Sequence, residues 1–143
     1  HRTALDRTRG RGGLFLRMPF QEGCGGEVLT SESATSVGAA EQQRARWVAV
    51  SMRVPDRRDL PEDLRVASIT IMDHPVNPEH PVPWRVDGQL GIAPSRCAAG
   101  AWSLAKDQSV SFRHRVLAQI GRPDAGFIDL SYAEFSRSNA WTA

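Results

Sequence analysis

The residues best suited to chemistry lie close together, between positions 73 and 84 of a 143-residue chain. They comprise a carboxylate, two imidazoles, an amide and an indole: Asp73, His74, Asn77, His80 and Trp84. Four prolines share the segment and preset its backbone angles, which lowers the entropy lost on folding. Functional residues often lie on loops that a rigid scaffold positions. This segment is therefore the first candidate for a site.

Three interpretations of this segment stay open. Asp73, His74 and His80 could ligate zinc, iron or copper, with Asn77 as a further oxygen donor. The same groups could bind a sugar by hydrogen bonds, with Trp84 as an apolar platform under its ring. Alternatively, the polar groups could bond the loop's own backbone while Trp84 fills the core. If the protein is an enzyme, Asp73, His74 and His80 are the catalytic candidates, because a histidine is the natural acid or base near neutral pH.

Other polar residues give weaker signals. Arg17 ends a short apolar run and Arg46 precedes Trp47, so both are candidates for substrate binding together with Asn77 and Trp84. His114 lies within an alternating run, which favours a histidine packed in a sheet over a catalytic one. The sequence contains no G-x-S-x-G, dinucleotide-binding or P-loop motif. A nucleophile triad and a nucleotide site are therefore not predicted.

The elements that must position these residues are mostly short strands. Branched and alternating residues predict strands over residues 14–18, 27–30, 44–53, 66–72, 85–86 and 109–120. Glycine and proline punctuate residues 88–102, which we expect to be irregular. Apolar residues at helical spacing after Asp124 predict one helix over residues 125–137. We therefore expect a mainly β protein: an antiparallel β-sandwich, or part of a supersandwich, with one C-terminal helix.

Composition limits the classes of function. The net charge is +2, which is too small to indicate nucleic acid as a partner. No apolar run approaches 18 residues, so we expect no membrane-spanning helix and no membrane partner. Two cysteines without paired spacing predict reduced thiols and a cytoplasmic location, although an N-terminal signal could be lost from a chain that begins at His1. The expected partner is a small molecule; the cofactor, the metal and the oligomeric state are not predicted.

The dense polar segment also carries a family resemblance. Residues 71–84, with the string D-H-P-x-N-x-x-H-P-x-P-W, resemble the bacterial PmoA-like family, whose name is "methane oxygenase PmoA" and whose function is unknown. Residues 12–17, 45–48, 112–116 and 121–124 are also similar to it. The name implies an oxidoreductase, for which Asp73, His74 and His80 would be the metal-dependent centre. Such proteins are β-sandwiches often found in sugar catabolism, so the resemblance also implies a carbohydrate or polyol ligand.

Members of that family are about twice as long as this chain. The resemblance therefore implies that residues 12–143 form the C-terminal half of a larger sandwich domain, after an irregular segment at residues 1–11. The leading expectation is a protein that binds or processes a carbohydrate or polyol through residues 73–84. A metal-dependent oxidoreductase is the first alternative, and a non-catalytic structural or binding domain is the second.

Overall fold

Seven strands and two helices make up the fold, in a computed structural model that describes residues 13–20 and 24–138. Short 3-10 turns also occur at Glu62–Leu64 and Arg96–Ala99. The elements in chain order are β1 Leu16–Arg17, β2 Glu27–Thr30, α1 Val37–Ala40, β3 Trp47–Arg53, β4 Val66–Asp73, β5 Trp84–Val86, β6 Gly91–Pro94, β7 His114–Ile120 and α2 Ala125–Arg137.

The strands form two antiparallel sheets. One has three strands in the order β1-β6-β5, and the other has four in the order β2-β3-β4-β7. Successive side chains of a strand point to opposite faces, so the four-stranded sheet buries both of its faces. One face packs against the three-stranded sheet through residues such as Val48, Ile71 and Ile92. The mainly β, sandwich-like class with one C-terminal helix is confirmed.

Helix α2 covers the other face of the four-stranded sheet. It begins where Asp124 accepts a hydrogen bond from the Phe127 backbone N–H at 2.9 Å, as predicted for a helix cap. Ile128, Tyr132 and Phe135 are buried, and they pack with Trp47 and Met72 of the sheet. These apolar positions repeat every three to four residues, so one stripe of the helix meets the sheet.

Two predictions differ from the structure: strand β6 was not predicted, and strand β7 begins later than predicted. The stretch predicted to be irregular contains β6, the central strand of the three-stranded sheet. Its only proline, Pro94, is the last residue of the strand, so this proline ends β6 instead of interrupting it. Strand β7 begins at His114, not at residue 109, because its partner β4 ends at Asp73, which pairs with His114. Beyond that pair, the chain after β4 turns away.

Two further findings limit the sequence predictions. Within the described residues, no helix is long and apolar enough to cross a membrane. The irregular segment predicted for residues 1–11 lies outside the described residues. The proposed relation of residues 12–143 to a larger domain stays a prediction.

Candidate functional site

The proline-rich loop (residues 74–83) begins with two consecutive turns that share Asn77. In the first, the Asn77 backbone N–H donates to the His74 carbonyl at 2.9 Å. In the second, the His80 backbone N–H donates to the Asn77 carbonyl at 3.2 Å. Each turn has a proline in its second position, Pro75 or Pro78, where a fixed φ favours turn formation. The spacing of Asp73, Asn77 and His80 therefore follows from the turns.

Just beyond the end of β4, the Asn77 side chain makes hydrogen bonds to the Arg113 backbone of the kind that a paired strand would make. Its Oδ1 accepts from the Arg113 backbone N–H, and its Nδ2 donates to the Arg113 carbonyl, both at 2.6 Å. Nδ2 also donates to Asp73 Oδ1 at 2.7 Å. Both amide hydrogens are thus used, and the residue is only 4% exposed. Asn77, predicted to bind substrate, joins the loop to the start of β7.

Asp73 is the centre of the site. Its side chain is fully buried, and its Oδ2 accepts from His80 Nδ1 at 2.8 Å and from the Val82 backbone N–H at 3.2 Å. His114 Nε2 lies 3.5 Å from Oδ1. Burial raises the pKa of the Asp73 carboxyl, but hydrogen bonds from His114, Asn77, His80 and Val82 outweigh burial and hold the pKa below its usual value. Asp73 is therefore an ionised carboxylate with donors on both oxygens.

His80 connects Asp73 to helix α2. Because an ionised carboxylate only accepts, His80 Nδ1 must carry the proton that it shares with Asp73. Its Nε2 lies 3.2 Å from the Tyr132 hydroxyl and, in the neutral ring, accepts from it. Burial raises the pKa of Tyr132, against an opposing effect of Arg46, so the phenol stays protonated at neutral pH. Both nitrogens of His80 are therefore engaged within the protein.

His74 faces away from this hydrogen-bonded chain. Its Nδ1 accepts from the Val76 backbone N–H at 3.1 Å, and Arg113 Nη1 lies 3.3 Å from its Nε2. The ring also meets the edge of Phe135, with centroids 4.8 Å apart. Burial and then the Arg113 charge lower the pKa of His74, so the ring is neutral at physiological pH. Its contacts make His74 a packing residue between the loop and α2.

His114 is the second imidazole beside Asp73, and unlike His80 it keeps one ring nitrogen without a protein partner among the described residues. His114 Nε2 also lies 3.5 Å from Asn77 Nδ2, but both hydrogens of that amide are already used by Asp73 and the Arg113 carbonyl. Nε2 is therefore the nitrogen that donates to the Asp73 carboxylate, and in the neutral ring Nδ1 has the lone pair. Among the described residues, Nδ1 has no hydrogen-bond partner. The imidazole stacks with Phe112 at 6.5 Å between centroids, and its side chain is 13% exposed. Asp73 and His114 thus form a carboxylate–imidazole pair with one nitrogen available to a ligand.

A continuous set of contacts extends from His114 across the surface. Phe112 meets Trp102 edge to face at 6.1 Å, and Arg96 lies 5.6 Å over the Trp102 ring. Arg96 also pairs with Glu79 at 3.6 Å, which returns the set to the proline-rich loop beside His80. All five residues are at least partly accessible to solvent. We call this surface the His114 face; it comprises Glu79, Arg96, Trp102, Phe112 and His114.

Arg44 bonds to the proline-rich loop at the edge of the His114 face. Its Nη1 donates to the carbonyls of Glu79 at 2.9 Å and Pro81 at 2.8 Å, and its Nη2 lies 3.4 Å from the Glu79 carboxylate. Glu79 is therefore placed between two arginines, Arg44 and Arg96. Together with the ionised Asp73 carboxylate, the two cations and two anions balance. The site therefore has little net charge.

The remaining predicted site residues lie apart from the His114 face. Trp84 is fully buried in the core between the sheets, and its Nε1 donates to the Ala45 carbonyl at 2.8 Å. Its ring therefore offers no surface to a ligand, because this bulky side chain fills the space where β5 begins. Arg17 belongs to the three-stranded sheet and pairs with Asp87 at 3.4 Å. The Arg46 guanidinium lies 5.4 Å over the Tyr132 ring, and the Arg46 backbone carbonyl accepts from the Asp73 N–H at 2.9 Å.

The metal alternative has no support from the donor groups. Within residues 13–20 and 24–138, no group of three or more His, Cys, Asp or Glu side chains is arranged to hold an ion. Of the three ligands predicted, His74 lies beside the Arg113 guanidinium, which disfavours a cation. The oxygens of Asp73 and the nitrogens of His80 already face protein partners. A metal would have to displace these hydrogen bonds.

Tyr132, His114 and the other residues of the His114 face were not identified from the sequence as functional. His114 comes next to Asp73 only through the antiparallel register of β4 and β7, which alternation alone does not give. Tyr132, the only tyrosine of the chain, belongs to the apolar stripe of α2. The sequence could have identified Tyr132 through its hydroxyl, because a buried tyrosine hydroxyl usually has a hydrogen-bond partner.

Comparison with known proteins finds one family. A model of a family of unknown function, DUF6807, matches residues 2–132. Neither the curated proteins nor the solved structures include a significant match.

Proposed function

Since this chain belongs to DUF6807, a family of unknown function, we propose its function from the site: the His114 face binds a neutral polyhydroxylated compound, a sugar or polyol. The observation that carries the proposal is the Asp73–His114 pair, in which the carboxylate orients the imidazole and leaves Nδ1 available. A polarised imidazole of this kind can accept a hydrogen bond from a ligand hydroxyl. In an enzyme, it can also take the proton as a general base.

The surroundings of His114 favour such a ligand. Trp102 and Phe112 supply aromatic surface for the C–H groups of a sugar ring, the role that the sequence suggested for Trp84. Glu79 and Arg96 supply an acceptor and donors at the edge. Arg96 is part of this surface through its pairing with Glu79 and its contact with the Trp102 ring.

The charge balance argues against anionic ligands. A phosphate or dicarboxylate is usually held by an unpaired cluster of arginines or by a helix N-terminus. Here the Arg96 charge is paired with Glu79, and the Asp73 carboxylate lies behind His114. A neutral ligand enters without repulsion from this carboxylate. The resemblance to the PmoA-like family is a second, independent reason to test sugars first.

Saturation-transfer NMR tests the proposal with a panel of monosaccharides, polyols and sugar acids, each at about 10 mM, a concentration suited to millimolar affinity. We expect signals from the neutral compounds and none from the anionic sugar acids. In titrations with the best compound, His114→Gln and Arg96→Gln should each weaken binding at least about tenfold, a loss of about 1.4 kcal/mol.

Arg17→Gln is the matched control for Arg96→Gln. It also removes a guanidinium that pairs with one carboxylate and lies over one aromatic ring, but on the three-stranded sheet. Its affinity should equal that of the wild type. An absence of binding by all neutral compounds, or equal losses in both arginine variants, would refute the proposal.

A further inference from the structure

Asp73 holds two imidazoles, one on each oxygen, and only one of them faces the proposed ligand. His114 approaches Oδ1 and His80 approaches Oδ2. A single carboxylate is therefore shared between two rings. The His80 bond fixes Oδ2, which leaves Oδ1 to His114. The nitrogen of His80 that carries the proton therefore matters for His114.

The Tyr132 hydroxyl determines which nitrogen of His80 carries the proton. A proton on Nε2 would face this hydroxyl at 3.2 Å. Tyr132 would then have to turn its own O–H away, yet the residue is only 6% exposed and its hydroxyl contacts no other acceptor among the described residues. An unsatisfied buried donor costs about 1–3 kcal/mol. The hydroxyl therefore favours the His80 tautomer with its proton on Nδ1.

Tyr132 is itself held firmly. Its ring packs with Trp47, Met72 and other residues between α2 and the four-stranded sheet, and the Arg46 guanidinium lies over it at 5.4 Å. Arg46 in turn pairs with Asp129 at 3.5 Å. The hydroxyl is the one polar atom of a side chain that otherwise makes apolar and cation–π contacts. These contacts orient the Tyr132 hydroxyl towards His80.

We infer that Tyr132 is a positioning residue: it holds the His80 proton on Nδ1, so that His80 stays bonded to Asp73 Oδ2 and Oδ1 remains directed to His114. This inference rests on the proposed function, because it assigns the purpose of the arrangement to the ligand-facing His114. It adds a residue of α2 that touches neither the proposed ligand nor His114. It also gives His80, predicted to be catalytic, the role of an internal connector.

The test is ring nitrogen NMR of the 15N-histidine-labelled protein at neutral pH, with no ligand present. In the wild type, His80 should be protonated at Nδ1 alone. His74 is not a reference for this measurement, because donors face both of its ring nitrogens, the Val76 backbone N–H at Nδ1 and the Arg113 guanidinium at Nε2. The signals are assigned with single His→Gln variants. A wild-type His80 that carries its proton at Nε2 would overturn the inference.

Tyr132→Phe removes the hydroxyl and keeps the ring under Arg46. We expect Nε2 of His80 to gain a proton in a measurable fraction of molecules, and the affinity for the best sugar to fall about fivefold, as for the loss of one hydrogen bond. Ser136→Ala is the matched control, since it removes a hydroxyl of α2 that donates to the Ala133 carbonyl. It should leave both readings unchanged.

The outcomes separate the two proposals. If the His80 spectrum is the same in Tyr132→Phe and in the wild type, the inference fails even when sugars bind. If no sugar binds but Tyr132→Phe alone changes His80, the proposed function fails and the control of His80 by Tyr132 stands. If both variants change His80 equally, the effect belongs to the packing of α2, and the inference fails.

Discussion

Replacement of Asn77 by alanine should destabilise the fold strongly, although this side chain was first a candidate for ligand binding. The change removes two hydrogen bonds to the Arg113 backbone and one to the Asp73 carboxylate. At about 1 kcal/mol for each neutral bond and about 2 kcal/mol for the charged one, the expected loss is about 4 kcal/mol. For a chain of this length, this loss lowers Tm by roughly 10–15 °C.

Urea unfolding, followed by the fluorescence of the four tryptophans, measures this loss. Since 4 kcal/mol is a large part of the stability of a small domain, Asn77→Asp provides a second measurement. Its new carboxylate would face Asp73, so this variant should be much less stable than the wild type at about pH 8. The gap should narrow towards about pH 5, as the two carboxyls come to share a proton.

Either of two results would refute this account of Asn77. The first is a loss of less than about 1 kcal/mol in Asn77→Ala, the size of one ordinary hydrogen bond. The second is a gap between Asn77→Asp and the wild type that does not change with pH. In both cases, the side chain would not be bonded as the structure shows.

Three other substitutions test the site. Asp73→Asn removes the carboxylate whose pKa is lowered in the folded protein. The wild type should therefore be the more stable protein above the unfolded carboxyl pKa of about 3.9, and this advantage should vanish as the pH falls through the lower folded-state pKa. A constant advantage in urea unfolding down to about pH 2 would contradict this. Trp84→Phe should cost about 2–4 kcal/mol, because it leaves a cavity and frees the Ala45 carbonyl, but should leave sugar affinity unchanged; weaker binding at full stability would return this residue to the site. Arg44→Ala releases the two loop carbonyls that it contacts, so hydrogen exchange at the His80 amide should be about tenfold faster while the amides of β3 and β4 keep their rates; equal rates at His80 would mean that the prolines alone hold the loop.

Local patterns predicted much of the fold. Alternating branched residues identified β4, and helical spacing after an aspartate cap identified α2 with the bounds that the structure shows. The prolines correctly indicated a loop, although Asp73 and Trp84, the first and last residues of the predicted segment, belong to β4 and β5. Strand β6 was missed because its stability comes from pairing on both sides, between β1 and β5, and not from the propensity of four residues that include Gly91 and Pro94.

The site was harder to predict, because its contacts cross long stretches of sequence. Asp73 and His80 were candidates from the sequence, but their partners His114 and Tyr132 are 41 and 52 residues further along, respectively, and join them only through sheet register and helix packing. Trp84 could equally have been a ligand platform or a core residue, since an indole suits both. The resemblance to the PmoA-like family stays a prediction.

The shared turns of the proline-rich loop also set a limit on its length. Most surface loops accept an inserted or deleted residue, because their backbone has no fixed partner. Here Asp73, Asn77 and His80 are held at offsets of four and three residues, and all three are bonded to one another or to β7. One inserted residue would move the His80 imidazole or the Asn77 amide out of hydrogen-bond distance of the Asp73 carboxylate. We therefore expect this loop to accept substitutions, as at the exposed Val76, better than a change of length.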